Sequence, residues 1–166
     1  SSAASDVYKR QAEFRRVLGH FPTGVTVVTA TGDDGPTGMA IGSFSSVSLD
    51  PPLVLWCPTT DSSSWARMKP SGSFCVNVLG ADQKDTCGVF ASSADDKFAD
   101  IAWHTEATGS PVIDGSLAWI DCELHAVHDG GDHDIVVGRV AALDTADDPG
   151  LPLLLFKGGY GRFEEL

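Results

Sequence analysis

Long apolar runs are missing from this chain, as are cysteine motifs and the common nucleotide fingerprints, and basic residues are few. No stretch approaches the roughly 20 apolar residues that cross a bilayer, and no secretory apolar segment stands near the start. The expected compartment is therefore the cytoplasm. Lys and Arg number 11 against 23 Asp and Glu, a formal charge of -12. That balance argues against nucleic acid, which would require a basic stripe, and against anionic membrane surfaces. The four cysteines, Cys57, Cys75, Cys87 and Cys122, form no CxxC pair. No His-rich cluster completes a zinc pattern, so no metal is expected. Cys57, Cys75 and Cys122 lie in apolar runs and read as buried reduced thiols, whereas Cys87, on a helix, reads as the more exposed one. The chain has no GxGxxG after a strand, no GxxxxGK[ST], no HExxH and no GxSxG. A dinucleotide bound here would not sit on a Rossmann turn.

What is present fits one globular domain. With 166 residues, 42% of them hydrophobic, the chain can bury a core but not two. Residues 1–11 are small and polar and read as a flexible or extraneous leader, with the domain spanning 12–166. Phe14, Val17, Leu18 and Phe21 recur at helical spacing and make one apolar face, stopped by Pro22 and Gly24. Val25 to Thr31 is β-branched and reads as a strand, turned at 32–35 and paired with Thr37 to Ser43. Leu53 to Cys57 reads as a buried strand, Ser62 to Lys69 as a short helix with a serine cap, and Ser73 to Leu79 as a strand. Residues 81 to about 100 read as helical pieces anchored by Val89, Phe90 and Phe98. Leu117 to His128 and Asp134 to Leu143 form a hairpin across a Gly-Gly loop. Leu153 to Phe156 is a final strand before a Gly-rich tail. Strands do not alternate regularly with long helices, so the expected fold is mainly β, an antiparallel barrel with a few short helices. Its open edges predict pairing with a second copy.

The stretch from Thr37 to Cys57 carries the chemistry. Thr37, Gly38, Met39 and Ala40, then Ser43, Phe44, Ser45, Ser46, Val47 and Ser48, put hydroxyls, small residues and open backbone beside two apolar strands. Such a shelf suits a flat, polar-edged ring with a phosphate tail. Gly38, Ala40 and Gly42 let the backbone come close. Ser62, Ser63 and Ser64 open a helix, where N–H groups and hydroxyls favour phosphate, with Arg67, Lys69 and Lys97 as possible helpers. The loop Gly131-Asp132-His133 supplies an imidazole that can donate or accept a hydrogen bond near neutral pH. His125 and His128, three apart on a strand, make poor joint metal ligands. Arg and Lys are scarce around His133 in sequence.

Four segments occur in a fixed order: Phe21-Pro-Thr-Gly-Val-Thr-Val-Val-Thr, Ser43-Phe-Ser-Ser-Val-Ser-Leu-Asp-Pro-Pro-Leu-Val-Leu, Phe74-Cys-Val-Asn-Val-Leu and Gly131-Asp-His. Together they resemble the short-chain flavin reductase family, the reductase halves of two-component flavin-dependent monooxygenases. The similarity runs from about Phe14 to Tyr160. Ser116 to Cys122 and Val127 to His133 resemble the subgroup serving aromatic-ring and sterol-fragment hydroxylases.

The resemblance implies an FMN-binding split β-barrel with Greek-key strands, acting as a homodimer. It implies an NAD(P)H:flavin oxidoreductase that takes hydride from NADH (or NADPH) to FMN (or FAD) and releases reduced flavin to a separate oxygenase. It implies flavin contacts from Thr37–Ala40, Ser43–Ser48, Cys57, Ser62–Ser64, the segment from Lys84 to Phe90, and Tyr160. Asp132 and His133 are implied at the pyridine nucleotide, with His133 as the residue nearest the chemistry. Two other readings of the same barrel stay open: a non-catalytic flavin- or haem-binding protein, and a flavin oxidase of the pyridoxamine-phosphate type.

Overall fold

Helix α1 spans Ser2–Leu18, followed by strands β1 (Thr23–Gly24), β2 (Thr26–Gly32), β3 (Gly35–Ile41), β4 (Ser45–Leu49) and β5 (Pro52–Trp56). Helix α2 (Ser63–Met68), β6 (Ser73–Val78) and helix α3 (Lys84–Ala91) come next. The last third holds β7 (Trp103–Thr105), β8 (Pro111–Ile113), β9 (Ala118–Gly130), β10 (His133–Thr145), β11 (Leu153–Phe156) and β12 (Gly159–Arg162). This computed structural model describes residues 2–148 and 150–166.

Seven strands form one antiparallel sheet in the order β3-β2-β6-β9-β10-β5-β4. β3 and β4 are consecutive in the chain yet lie at opposite ends of that sheet. Residues 42–44 alone join them, and three residues reach only about 10 Å. The sheet is therefore strongly curled. Its inner face carries Val28, Val54, Trp56, Phe74, Val76, Cys122 and Val136, with Trp65 and Met68 of α2 packed among them. Trp56 meets Trp65 and Phe74 edge to face, at centroid distances of 5.3 and 5.5 Å. A second cluster joins α3 to the three-stranded sheet β1-β11-β12 through Val25, Leu79, Cys87, Phe90, Phe98 and Leu153.

Several expectations are corrected. The first helix starts at Ser2, ahead of the Phe14–Phe21 pattern; residues 2–11 carry Ala and charged side chains and no Gly or Pro, which suits a helix. Ser1 lies outside the described residues. The apolar face of this helix is exposed rather than packed: Phe14 is 64% and Phe21 76% accessible. Cys87, expected to be exposed, is buried in the second cluster, while Cys57 is partly open. The serine stretch includes a strand, β4, with a bulge at Val47. Residues 92–100 are irregular rather than helical, and Val89 faces outward. The Gly-rich tail returns on β11 as β12, through a turn at Lys157 and Gly158.

Candidate functional site

The hairpin of β2 and β3 presents Thr37, Gly38, Met39 and Ala40 to a cavity of about 410 Å³. Facing them across the opening are Ser62, Ser63, Ser64 and Arg67 at α2, and Phe90, Ser92, Ser93, Lys97 and Phe98 at and beyond α3. Ser62 caps α2 by accepting from the Trp65 N–H at 3.1 Å, and its Oγ lies 3.8 Å from Met39 Sδ. Gly38 is held to a hydrogen by packing. A Cβ there would lie 2.9 Å from Phe90 Cε1 and 3.2 Å from Thr29 Cγ2. Its smallness seats Phe90 against β3.

Two cations line this cavity, Arg67 and Lys97, beside one carboxylate, Asp95. Lys97 Nζ donates to the carbonyls of Phe90 (3.1 Å) and Gly38 (3.4 Å). Burial, and then the neighbouring Arg67 charge, hold its pKa below the usual lysine value. In a chain of charge -12 this is a local excess of donors and positive charge. Hydroxyls, a guanidinium with no ion pair among the described residues and a partly buried ammonium together form a donor set that fits a phosphate ester. Of the expected Lys84–Phe90 segment only Phe90 lines the cavity. Lys84 instead lies 5.8 Å from the Tyr160 ring.

The serine shelf is separate from the cavity but joined to it. β4 is an edge strand, paired with β5 on one side only. Ser43 Oγ accepts the Cys57 N–H at 2.9 Å and donates to the Cys57 carbonyl at 3.3 Å, so this hydroxyl fixes the start of the shelf. Ser45, Ser46 and Val47 are exposed, and the outer edge of β4 leaves alternate backbone groups open.

The third part is the tip of the β9–β10 hairpin. Gly131 takes φ 79° in the two-residue turn, and Asp132 and His133 follow. His133 Nδ1 lies 2.7 Å from Asp132 Oδ1, so it donates there and leaves Nε2 unspent. The hydrogen bond from His133, and then its charge, hold the Asp132 carboxyl below its usual pKa.

A strap of residues 57–65 connects all three parts. It begins at Cys57 on the shelf. Pro58 O accepts the Asp134 N–H (2.9 Å), Thr59 bridges to His133, and the Thr60 N–H donates to Asp132 O (3.0 Å). The strap ends at Trp65, whose Nε1 donates to Asp134 Oδ2 at 2.8 Å. Thr59 and Ser62–Ser64 of the same strap line the cavity. Tyr160 is not brought to this assembly within the chain. Its hydroxyl stands 3.5 Å from Cys87 Sγ over α3. Sequence reasoning missed Thr59, Ser92, Ser93, Phe98 and the Trp65–Asp134 bond. The Ser92-Ser93 pair ahead of Lys97 was the available signal.

The protein-family model described as "Flavin reductase like domain" matches residues 18–164. The chain belongs to this family. It is 52% identical to the flavin-dependent monooxygenase reductase subunit HsaB of Rhodococcus jostii, over 91% of this chain and 77% of that protein. The crystal structure of a homologue of nitrilotriacetate monooxygenase component B from Mycobacterium thermoresistibile superposes with a TM-score of 0.92 at 49% identity, covering 95% and 88% of the two chains. The Streptomyces globisporus NADH:FAD oxidoreductase SgcE6, solved with NAD and FAD fragments, gives 0.88 at 39% identity and covers 94% of each chain. No helix among the described residues is long and apolar enough to cross a membrane, and no cluster of three or more His, Cys, Asp or Glu is placed to hold a metal there.

Proposed function

We propose that this protein is an NAD(P)H-dependent flavin reductase that hands reduced FMN or FAD to a separate flavin-dependent oxygenase. The observation that carries this reading is the strap. One short segment ties a phosphate-fitting cavity, a serine-edged shelf and a histidine hairpin tip into a single surface. The curled sheet, whose end strands are joined by residues 42–44, is read as a split barrel.

The chemistry the flavin supplies when bound is acceptance of a hydride from the reduced nicotinamide. The chain's own residues bind and orient. Arg67, Lys97 and the serines of 62–64 hold the phosphate, with Thr37, Met39, Ala40 and Phe90 walling the tail. Backbone N–H groups of Ser45–Ser48, steadied by the Ser43–Cys57 bonds, meet the polar edge of the ring and offset negative charge there. With Nδ1–H committed to Asp132, the His133 Nε2 meets the nicotinamide carboxamide and sets the stacking that hydride transfer requires. Tyr160 closes the site from a second copy, making the active form a homodimer. The four free thiols and the reduced nucleotide donor agree with work in the cytoplasm.

The test is absorbance at 340 nm with protein, NADH and FMN or FAD. NADH loss well above the flavin-only blank is expected. His133→Ala should raise the NADH KM about tenfold, roughly the loss of one buried hydrogen bond, while flavin affinity changes little. A collapse of flavin binding with an intact NADH response would remove the role given to the hairpin tip. No NADH loss above the blank would leave a flavin-binding protein without reductase activity.

A further inference from the structure

A second recess of about 440 Å³ lies at the C-terminal end of α1, lined by Arg15, Arg16, His20 and Lys157 with small residues between them. No carboxylate lines it, in a chain where acids outnumber bases two to one. Arg16 is engaged by Glu13 at 2.6 and 2.9 Å, and His20 Nδ1 lies 2.9 Å from the Arg16 carbonyl. Arg15 and Lys157 have no ion-pair partner among the described residues.

The helix end explains only part of this. Cations near the last turn of a helix offset its carbonyl dipole, which accounts for Arg15 and Arg16. Lys157 comes from another element, the β11–β12 turn, and sits at φ 49°, the only non-glycine with positive φ among the described residues. With Gly158 at φ 75° it forms a turn of the kind that favours Asn or Gly at that first position. The Lys157 N–H donates to Gly19 O at 2.8 Å, which seats the turn against the end of α1. A lysine is therefore kept in a conformation that suits other residues better, beside a recess with no anion of its own.

The turn that carries Lys157 is linked to the shelf through β1. β1 pairs with β11 at Thr23↔Leu155. Thr23 Oγ1 would lie 3.5 Å from a Cβ at Gly42, the residue before Ser43 on the shelf. Arg15 also adds, after the His133 hydrogen bond and charge, to holding the Asp132 carboxyl low.

We propose that this recess takes the phosphate-bearing part of the pyridine nucleotide whose nicotinamide meets His133, with Arg15 and Lys157 as its cations. The proposal rests on the reductase reading above. Two anions of that nucleotide fit, the diphosphate common to NADH and NADPH and the 2′-phosphate of NADPH.

Lys157→Asn and Arg15→Gln test it, with NADH and NADPH kinetics at fixed flavin, a flavin titration and a melting curve. Each variant should raise KM about five- to tenfold, the loss of one charge-assisted contact, with kcat and flavin affinity unchanged. Lys157→Asn should melt no lower than the parent, because Asn suits the turn. A rise with both donors assigns the diphosphate, and a rise with NADPH alone assigns the 2′-phosphate; either supports the proposal. If KM stays put for both donors while His133→Ala raises it, the recess has no such role and the reductase reading stands. A fall in flavin affinity with unchanged KM also overturns the proposal. A parent protein that oxidises neither donor overturns both.

Discussion

Gly38 and Gly138 each sit where an aromatic ring fills the space a side chain would take: Phe90 against the first and Phe74 against the second. Single residues also carry the molecule's pH response. His104 places Nδ1 2.7 Å from Asp114 and Nε2 3.1 Å from Glu106. The hydrogen bond to Asp114 is the main cause of its raised pKa, with Glu106 adding to it. A histidine whose folded pKa is raised contributes stability in full below its unfolded value, about 6.5. That contribution fades as pH rises through the folded value. His104→Gln should therefore lower the melting temperature more at pH 5 than at pH 9, and only modestly, because the cluster is half exposed. Equal losses at both pH values would contradict this.

At the scale of elements, the strap is the part that matters. Trp65 packs on Trp56 and donates to Asp134, so it links α2 to the strand that follows His133. Trp65→Phe keeps an aromatic ring but removes the donor and part of the packed indole. A cost of about 1–3 kcal/mol in denaturant unfolding is expected from the stranded acceptor, with a several-fold rise in NADH KM as the hairpin tip loosens. Asp134→Asn retains an acceptor oxygen and should stay near the parent. The two hairpins β2–β3 and β9–β10 were legible in the sequence, because β-branched runs and Gly turns are local signals. The strap was not, because Trp65 and Asp134 lie 69 residues apart and nothing local marks the pair. The Ser62–Ser64 and Thr37–Ala40 segments, both singled out in the sequence, line one cavity, whereas Tyr160 does not. Residues 92–98 escaped as a wall because they were taken for helix, although Ser92 and Ser93 end it.

At the scale of the whole molecule, α1 is the anomaly. All its described residues are exposed, and Phe14, Val17, Leu18 and the nearby Phe21 turn an apolar stripe to solvent. Stripes of this size mark an interface, and a two-fold pairing of the chain would cover it. Phe14→Glu with Leu18→Glu should shift sedimentation from dimer to monomer and lower the melting temperature. A parent that sediments as a monomer at micromolar concentration would remove the dimer reading.

The strand order has a consequence for synthesis. β4 and β5 emerge early, yet their neighbour in the sheet is β10, far along the chain. Until residues 133–145 leave the ribosome, the hairpin bearing the serines has nothing to dock on. The serine-edged shelf thus completes its pairing only when β10, the last-made strand of the seven-stranded sheet, is in place.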